Sequence, residues 1–251
     1  ASGCLGVFGP SRPAEDPRAA ELVDRSRTET ADVESYRLTI DGALRASADG
    51  ETVTADVRGN ARVNVTTRRI NATVAVDRGE GGGGPFGQAD AQTTYIDNRT
   101  AYSECARIGW GRQNLSETRE WREYAPVGQQ LSLLNRTPVY WRGTDSIDGD
   151  EVGVVVAHPT GEEIRSDTTF GGSDPADFGG ANVRNATVTV WIDTETARPR
   201  KVRRVVDVAS GGNTATATVT FRIDDYGAPT NVTRPDVGED VVWSLGCPSA
   251  N

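Results

Sequence analysis

Strict alternation of apolar and polar side chains is the feature that most restricts the folds open to this chain. The segment TATATVTFRI places Ala215, Ala217, Val219, Phe221 and Ile223 at every second position. Successive side chains of a β-strand point to opposite faces, so this spacing predicts a strand with one buried and one solvated face. Strands of this kind are typical of antiparallel sheets, because parallel strands are usually covered on both faces.

The same alternation recurs along most of the chain, in segments that short turn signals separate. It is present in YRLTIDGAL, ETVTADV, ARVNVTT, INATVAV, NATVTVWI and RKVRRVVDVA. Turns are predicted at ADGE, at RGNA, at Asp97-Asn98 and at Asp148-Gly149. We therefore expect one antiparallel sheet of about ten strands, and a sheet of that size must curl or close.

Two helices are expected to cover the apolar face of this sheet. Asp16 followed by Pro17 predicts the start of a first helix. This helix is expected to run to about Val33. The segment PVGQQLSLLNRT predicts a short second helix that carries Leu131 and Leu134. Residues 17–251 are accordingly interpreted as a single β-rich domain, and the Pro-containing residues 1–16 as a tether.

Charge and composition exclude some classes of function. The net charge is −9, with 27 basic against 36 acidic residues, so a nucleic-acid interface is not expected. Lys201 is the only lysine, and a chain rich in Arg and Asp is typical of GC-rich genes and of high-salt environments. No apolar run approaches the ~20 residues that a membrane-spanning helix needs.

The first four residues, Ala1-Ser2-Gly3-Cys4, resemble the lipobox at which the signal peptide of a lipoprotein is removed. Small residues precede the cysteine, whose thiol accepts the lipid. We expect Cys4 to carry a lipid anchor that holds the protein at the extracellular face of the cytoplasmic membrane. The alternative is an ordinary N-terminus with a chance cysteine.

Two further cysteines remain if Cys4 is lipid-modified. Outside the cell, Cys105 and Cys247 would tend to oxidise, so a disulfide between them is predicted. A metal site is the alternative, but the chain has no CxxC spacing and His158 is its only histidine. No metal ion and no cofactor are expected.

Seven of the asparagines stand in Asn-x-Ser/Thr sequons, which indicates glycosylation of a surface-exposed protein. A Thr-rich β protein also gains sequons through composition alone, and this alternative remains open at any single site. In three predicted strands the sequon asparagine lies on the face opposite the apolar set, as a glycan requires. The seven positions are Asn64, Asn71, Asn98, Asn114, Asn135, Asn185 and Asn231.

Three segments resemble a known group of proteins. WIDTETARPRKVRR (191–204), FRIDDYGAPTNVTRP (221–235) and the hairpin SIDGDEVGVVVAHP (146–159) are similar to motifs of the LolA/LppX–LprG superfamily of lipoprotein carriers and lipid-binding lipoproteins. With the Arg bias and the sequons, the chain resembles a haloarchaeal surface lipoprotein of that superfamily. The resemblance implies an α+β, β-dominated fold, in which helices cover the concave face of a curved antiparallel half-barrel sheet. A β-sandwich is the alternative architecture.

Two functions follow from this interpretation. The first is a membrane-anchored lipoprotein that binds or carries an apolar, lipid-like ligand. The second is a glycosylated cell-surface structural or interaction module without ligand, with surface-layer or envelope proteins as partners. An enzyme is not expected, because no nucleophile motif and no metal cluster stands out. The predicted ligand-binding residues are Leu38, Ile40, Val63, Val65, Val74, Leu131, Leu134, Val190, Val219 and Phe221.

Overall fold

The computed structural model of the protein describes residues 14–48, 50–77, 91–105, 109–165, 182–237 and 242–243. Its helices are α1 (Pro17–Ala31), α2 (Pro126–Arg136) and α3 (Gly161–Arg165), with a 3-10 turn at Trp121–Tyr124. Its strands are β1 (Ser35–Ala48), β2 (Glu51–Asn64), β3 (Arg69–Asp77), β4 (Gln92–Asp97), β5 (Thr100–Cys105), β6 (Gly109–Asn114), β7 (Val139–Ile147), β8 (Asp150–Ala157), β9 (Asn182–Asp193), β10 (Pro199–Ser210), β11 (Asn213–Asp224) and β12 (Val242–Trp243).

All of these strands belong to one open, curved sheet, which confirms the predicted fold class. The order is β12-β6-β5-β4-β3-β2-β1-β11-β10-β9-β8-β7. Two meanders, β1 to β6 and β7 to β11, are joined by the antiparallel pairing of β1 with β11. The short β12 is the one parallel addition among the described strands, and it pairs with β6 at one edge. The described residues form no second sheet, so the alternative β-sandwich is wrong.

Tight two-residue turns connect two of the hairpins, β7–β8 and β10–β11. Asp148 and Gly149 have φ values of 55° and 95°, and they join β7 to β8 as the sequence predicts. Gly211 and Gly212 turn β10 into β11 in the same left-handed region, with φ values of 56° and 91°. Turns of this kind match the right-handed twist of the strands that they connect. The β4–β5 turn uses residues 98 and 99, one position later than predicted.

The turn predicted at RGNA is wrong, because Gly59 lies inside the continuous strand β2. An added Cβ at Gly59 or at Gly42 would collide with a backbone carbonyl of the neighbouring strand. Gly42 pairs with Val57, two positions from Gly59, so the two glycines are close together on neighbouring strands. Glycines at such a place allow the close backbone approach of a strongly bent sheet. Gly59 therefore allows the sheet to bend, and the chain does not reverse its direction there.

The helices begin where the sequence predicts. The Asp16 side chain accepts a hydrogen bond from the backbone N–H of Arg18 at 2.9 Å and caps α1. The helix ends at Ala31, two residues before the predicted end. Helix α2 begins at Pro126, where the missing N–H removes no helical hydrogen bond. Both helices contribute buried side chains to the same core cluster as the sheet.

The C-terminal segment 225–237 crosses the outer face of the sheet from β1 to β5. The Ser35 hydroxyl donates to the Ala228 carbonyl at 2.5 Å, and Asn64 Nδ2 donates to the Thr230 carbonyl at 3.0 Å. Farther along, the Arg234 guanidinium lies 4.9 Å from the centroid of the Tyr102 ring. This crossing segment covers part of the face that the sequence pattern assigns to solvent.

Candidate functional site

The candidate site is the part of the concave face that α2 covers. Cross-strand pairing places apolar side chains of four neighbouring strands side by side there, because Val190 pairs with Val202, Val202 with Phe221, and Phe221 with Ile40. Each of these residues is at most 6% exposed. The alternation seen in the sequence is therefore realised as a continuous apolar surface.

The ten predicted ligand-binding residues come together in one hydrophobic cluster. Seven of them are buried, at 0–6% exposure: Leu38, Ile40, Val63, Leu131, Leu134, Val190 and Phe221. The other three, Val65, Val74 and Val219, are partly buried and pack against the cluster.

Helix α2 packs against the concave face of the sheet and against α1, and it is buried on most of its circumference. Val127, Leu131 and Leu134 are each at most 3% exposed. At the start of the helix, the Val127 N–H donates to the Tyr36 hydroxyl oxygen at 3.4 Å, and burial raises the pKa of this hydroxyl. Near the other end, Arg27 of α1 donates to Asn135 at 2.7 Å. These contacts fix the position of α2 over the concave face.

A cavity of about 10 Å³ separates α2 from the sheet. This is enough space for one water molecule and far too little for an acyl chain. The site is therefore closed in this conformation. The cavity is lined by Leu38, Pro126, Val127, Gln130, Val202, Phe221 and Ile223.

Gln130 is the one polar side chain in this lining. It is 3% exposed, and neither its Nε2 nor its Oε1 has a hydrogen-bond partner among the residues that the structure describes. An amide left unsatisfied in a buried place destabilises the fold by ~1–3 kcal/mol. Ser26 Oγ, on the buried side of α1, is likewise unsatisfied. The helical layer thus carries polar groups that its packing does not satisfy.

Arg204 is a buried cation on the same face of the sheet. It alternates with Val202 and Val206 on β10, and it pairs with Val188 on one side and Val219 on the other. Its exposure is 5%. A buried guanidinium requires anions or hydrogen-bond acceptors close by, since desolvation of an uncompensated charge costs several kcal/mol.

The sequence contains a signal for both polar residues, although the ligand-binding prediction omitted them. Arg204 stands at an apolar-parity position of RKVRRVVDVA, two residues from Val202 and two from Val206. Gln130 lies three residues after Val127 and four before Leu134, on the stripe of α2 that faces the core. A polar residue at a position that periodicity assigns to the core is more informative than another valine there.

The apolar face continues beyond Arg204. A second, smaller cluster consists of Leu44, Ala55, Val57 and Ala217, which are each at most 5% exposed. The concave face consequently has two apolar regions, one beneath α2 and one on the far side of Val219. Arg204 lies between them, level with Val219.

The outward parity predicted for three sequons is correct, but two of these asparagines are engaged by the crossing segment 225–237. Asn64 Nδ2 donates to the Thr230 carbonyl at 3.0 Å, and Asn71 Nδ2 donates to the Thr233 carbonyl at 3.4 Å. A glycan needs that nitrogen, so occupancy of these two sequons would displace the segment. Five sequon asparagines are exposed: Asn98, Asn114, Asn135, Asn185 and Asn231. Glycosylation remains a prediction.

Of the three cysteines, one lies among the residues that the structure describes. Cys105 is 4% exposed at the end of β5, whereas Cys4 and Cys247 lie outside the described residues. The parallel pairing of Trp243 with Gly111 brings the chain, four residues before Cys247, within two strands of β5. The disulfide and the lipid anchor both remain predictions.

The described part of the chain holds no group of three or more His, Cys, Asp or Glu side chains that could bind a metal ion. Its helices are also all too short or too polar to cross a bilayer.

No protein-family model and no curated protein sequence matches this chain. Among solved structures it is similar to the lipoprotein LppX of Mycobacterium tuberculosis, with 15% identity, 87% of this chain and 100% of that chain covered, and a TM-score of 0.48. LprF from Mycobacterium bovis gives 17% identity, coverage of 89% and 99%, and a TM-score of 0.48. A LolA superfamily protein from Nitrosomonas europaea is 13% identical, with 88% of this chain and 98% of that chain covered and a TM-score of 0.29. Likeness at this level leaves function to be argued from this chain's own residues.

Proposed function

We propose that this protein binds an apolar, lipid-like ligand between α2 and the concave face of its sheet. The observation that carries the proposal is the interface of α2 with the sheet, where apolar side chains and the unsatisfied amide of Gln130 surround a small cavity. Ligand sites typically combine an apolar lining with a few polar groups that fix orientation. Six of the seven lining residues here are apolar.

Binding requires α2 to move away from the sheet, since the cavity of about 10 Å³ cannot hold a chain. The unsatisfied polar atoms weaken this part of the core, because each one offsets some of the free energy gained by burial. An acyl chain inserted under α2 would replace the apolar contacts that the helix gives up. The ligand-free and loaded states are therefore expected to differ chiefly in the position of α2.

The test is to look for cargo in protein purified from its own host. Native mass spectrometry is expected to show a lipid-sized mass increment, and the delipidated protein is expected to bind a fluorescent fatty acyl probe. A clean apoprotein mass, together with no probe binding, would contradict the proposal.

A second candidate is a surface module whose core is simply filled, with envelope proteins as partners. The small volume of the cavity favours this reading, as does the complete burial of Val190 beneath the helical layer. Under this alternative the apolar face stabilises the fold and binds nothing. The two candidates make opposite predictions for probe binding by the parent protein.

We also propose that the protein is a haloarchaeal glycoprotein anchored by lipid on Cys4 at the outer face of the cytoplasmic membrane, with a binding rather than a catalytic role. The small residues before Cys4 and the Pro-containing residues 5–17 support the anchor. Cys4→Ser is expected to move the protein from the membrane fraction to the medium. A variant that stays with the membrane would contradict the anchor while leaving ligand binding untouched.

A further inference from the structure

We infer that the ligand is an anionic amphiphile, whose acidic head group binds Arg204 while its chain lies between α2 and the sheet. This inference rests on the apolar-ligand function proposed above and names the chemical class of the ligand. The head group is a carboxylate or a phosphate, since both match the guanidinium in charge and in geometry.

The position of Arg204 supports this assignment. On one face of a strand, residues two apart are separated by about 7 Å. Val202, which lines the cavity beneath α2, is therefore the immediate neighbour of Arg204 along β10. Phe221 and Val219 hold the corresponding positions on β11. A chain that occupies the cavity would thus have its end within reach of a long arginine side chain.

The burial of Arg204 makes its charge selective. At 5% exposure the guanidinium is removed from solvent, so its attraction to an anion is screened far less than that of a surface arginine. The chain as a whole has a net charge of −9, so its surface repels acidic ligands. Affinity for an anion must then come from a local cation. When an acid binds, its head group replaces the groups that Arg204 contacts in the ligand-free state.

Gln130 supplies a neutral group at the other wall of the cavity. Its amide offers two N–H donors on Nε2 and one carbonyl acceptor, and neither Nε2 nor Oε1 is satisfied among the described residues. A carboxylate, a phosphate or an ester carbonyl can accept from Nε2 and remove the unfavourable burial of that group. A cationic donor beside the cavity and a neutral donor in its apolar lining are the elements that orient an amphiphile.

The test compares two probes that share one pyrene-labelled alkyl chain and end in a carboxylate or in an alcohol. An alkyl phosphate of the same chain distinguishes the two sources of an acidic head group. Binding to the full-length protein is titrated by fluorescence at mildly alkaline pH, below the aggregation threshold of each probe. Arg204→Gln removes the buried charge. Arg203→Gln is the matched control, because Arg203 is exposed on the opposite face of the same strand.

The parent protein is expected to bind an acidic probe at least about tenfold more tightly than the alcohol. Arg204→Gln should weaken acidic-probe binding by at least about 30-fold and alcohol binding by less than about threefold, whereas Arg203→Gln should leave both unchanged. Added salt should not weaken the acidic probe in the parent protein, since the pair is buried.

Equal affinity of the parent protein for the acidic probe and the alcohol would overturn the inference. Acid selectivity that survives in Arg204→Gln would overturn it too. In both cases the apolar-ligand function would still stand. If neither probe binds, the proposed function fails and the inference fails with it. Should Arg204→Gln not fold, Arg204→Lys replaces it. That variant keeps the charge but not the fork of donors, so it should retain a weaker preference for acids, and an unchanged affinity would count against the inference.

Discussion

Replacement of Cys247 by serine is expected to lower the free energy of unfolding by about 5 kcal/mol. The predicted bond to Cys105 closes a loop of roughly 140 residues, and in the chain-entropy model a loop of that size contributes the largest stabilisation a single cross-link gives. The pairing of β12 with β6 brings the C-terminal chain within two strands of β5, which ends at Cys105. Denaturant unfolding of the parent and the variant, without reducing agent, measures the difference.

Two controls make this result specific to the cross-link. Cys4→Ser removes a cysteine that is predicted to take no part in the bond, so its free energy of unfolding should equal that of the parent. The double variant Cys105→Ser/Cys247→Ser should be no less stable than the weaker single variant, because one bond can be lost only once. Labelling of two thiols in the denatured, unreduced parent protein would contradict the pairing.

The second large effect is expected from Val190→Trp. Val190 is fully buried, and it pairs with Val155 and with Val202, which lines the cavity. The cavity beside Val202 measures only about 10 Å³, so an indole ring at position 190 forces neighbouring side chains apart. We expect a loss of ~3 kcal/mol or more and a decrease in melting temperature of about 10 °C. Thermal unfolding and fluorescent acyl-probe binding are measured on the same samples.

Val205→Trp is the matched control, because Val205 is half-buried on the outer face of the adjacent strand. If the protein is a carrier, the parent and Val205→Trp should bind the probe and Val190→Trp should not. If the core is simply filled, none of the three should bind it, although Val190→Trp should still unfold early. A Val190→Trp protein as stable as the parent would show that the site holds far more space than the closed conformation has.

The apolar side of the sheet could be predicted because side-chain parity depends only on the strand itself. Alternate residues of β9 point to the same face of the sheet, so three of them are buried together: Val188, Val190 and Ile192. The Asp148-Gly149 turn was equally predictable, since both residues tolerate the left-handed conformation that the hairpin needs. Local chemistry sufficed for these features.

The remaining features depend on contacts between distant parts of the chain. Gly59 resembles a turn residue in sequence, and only the close approach of the Thr73 carbonyl on β3 shows that it permits a bend. Asn71 has outward parity, yet a segment more than 150 residues later covers it. Arg204 occupies a position that strand parity assigns to the core, but its side chain is charged. A prediction that considers only apolar residues therefore omits it. In each case the deciding neighbour lies on another strand or segment.

The pairing of β1 with β11 also sets the order in which the sheet can be completed. The strands up to Asn114 are made first, and β1 then has an unpaired edge until residues 213–224 become available. Pairings between distant segments form slowly, and an exposed strand edge is a template for association with another chain. The newly made polypeptide is therefore most prone to aggregate just before its last long strand is added. A chain truncated before Asn213 should accumulate as insoluble oligomers rather than as a smaller folded domain.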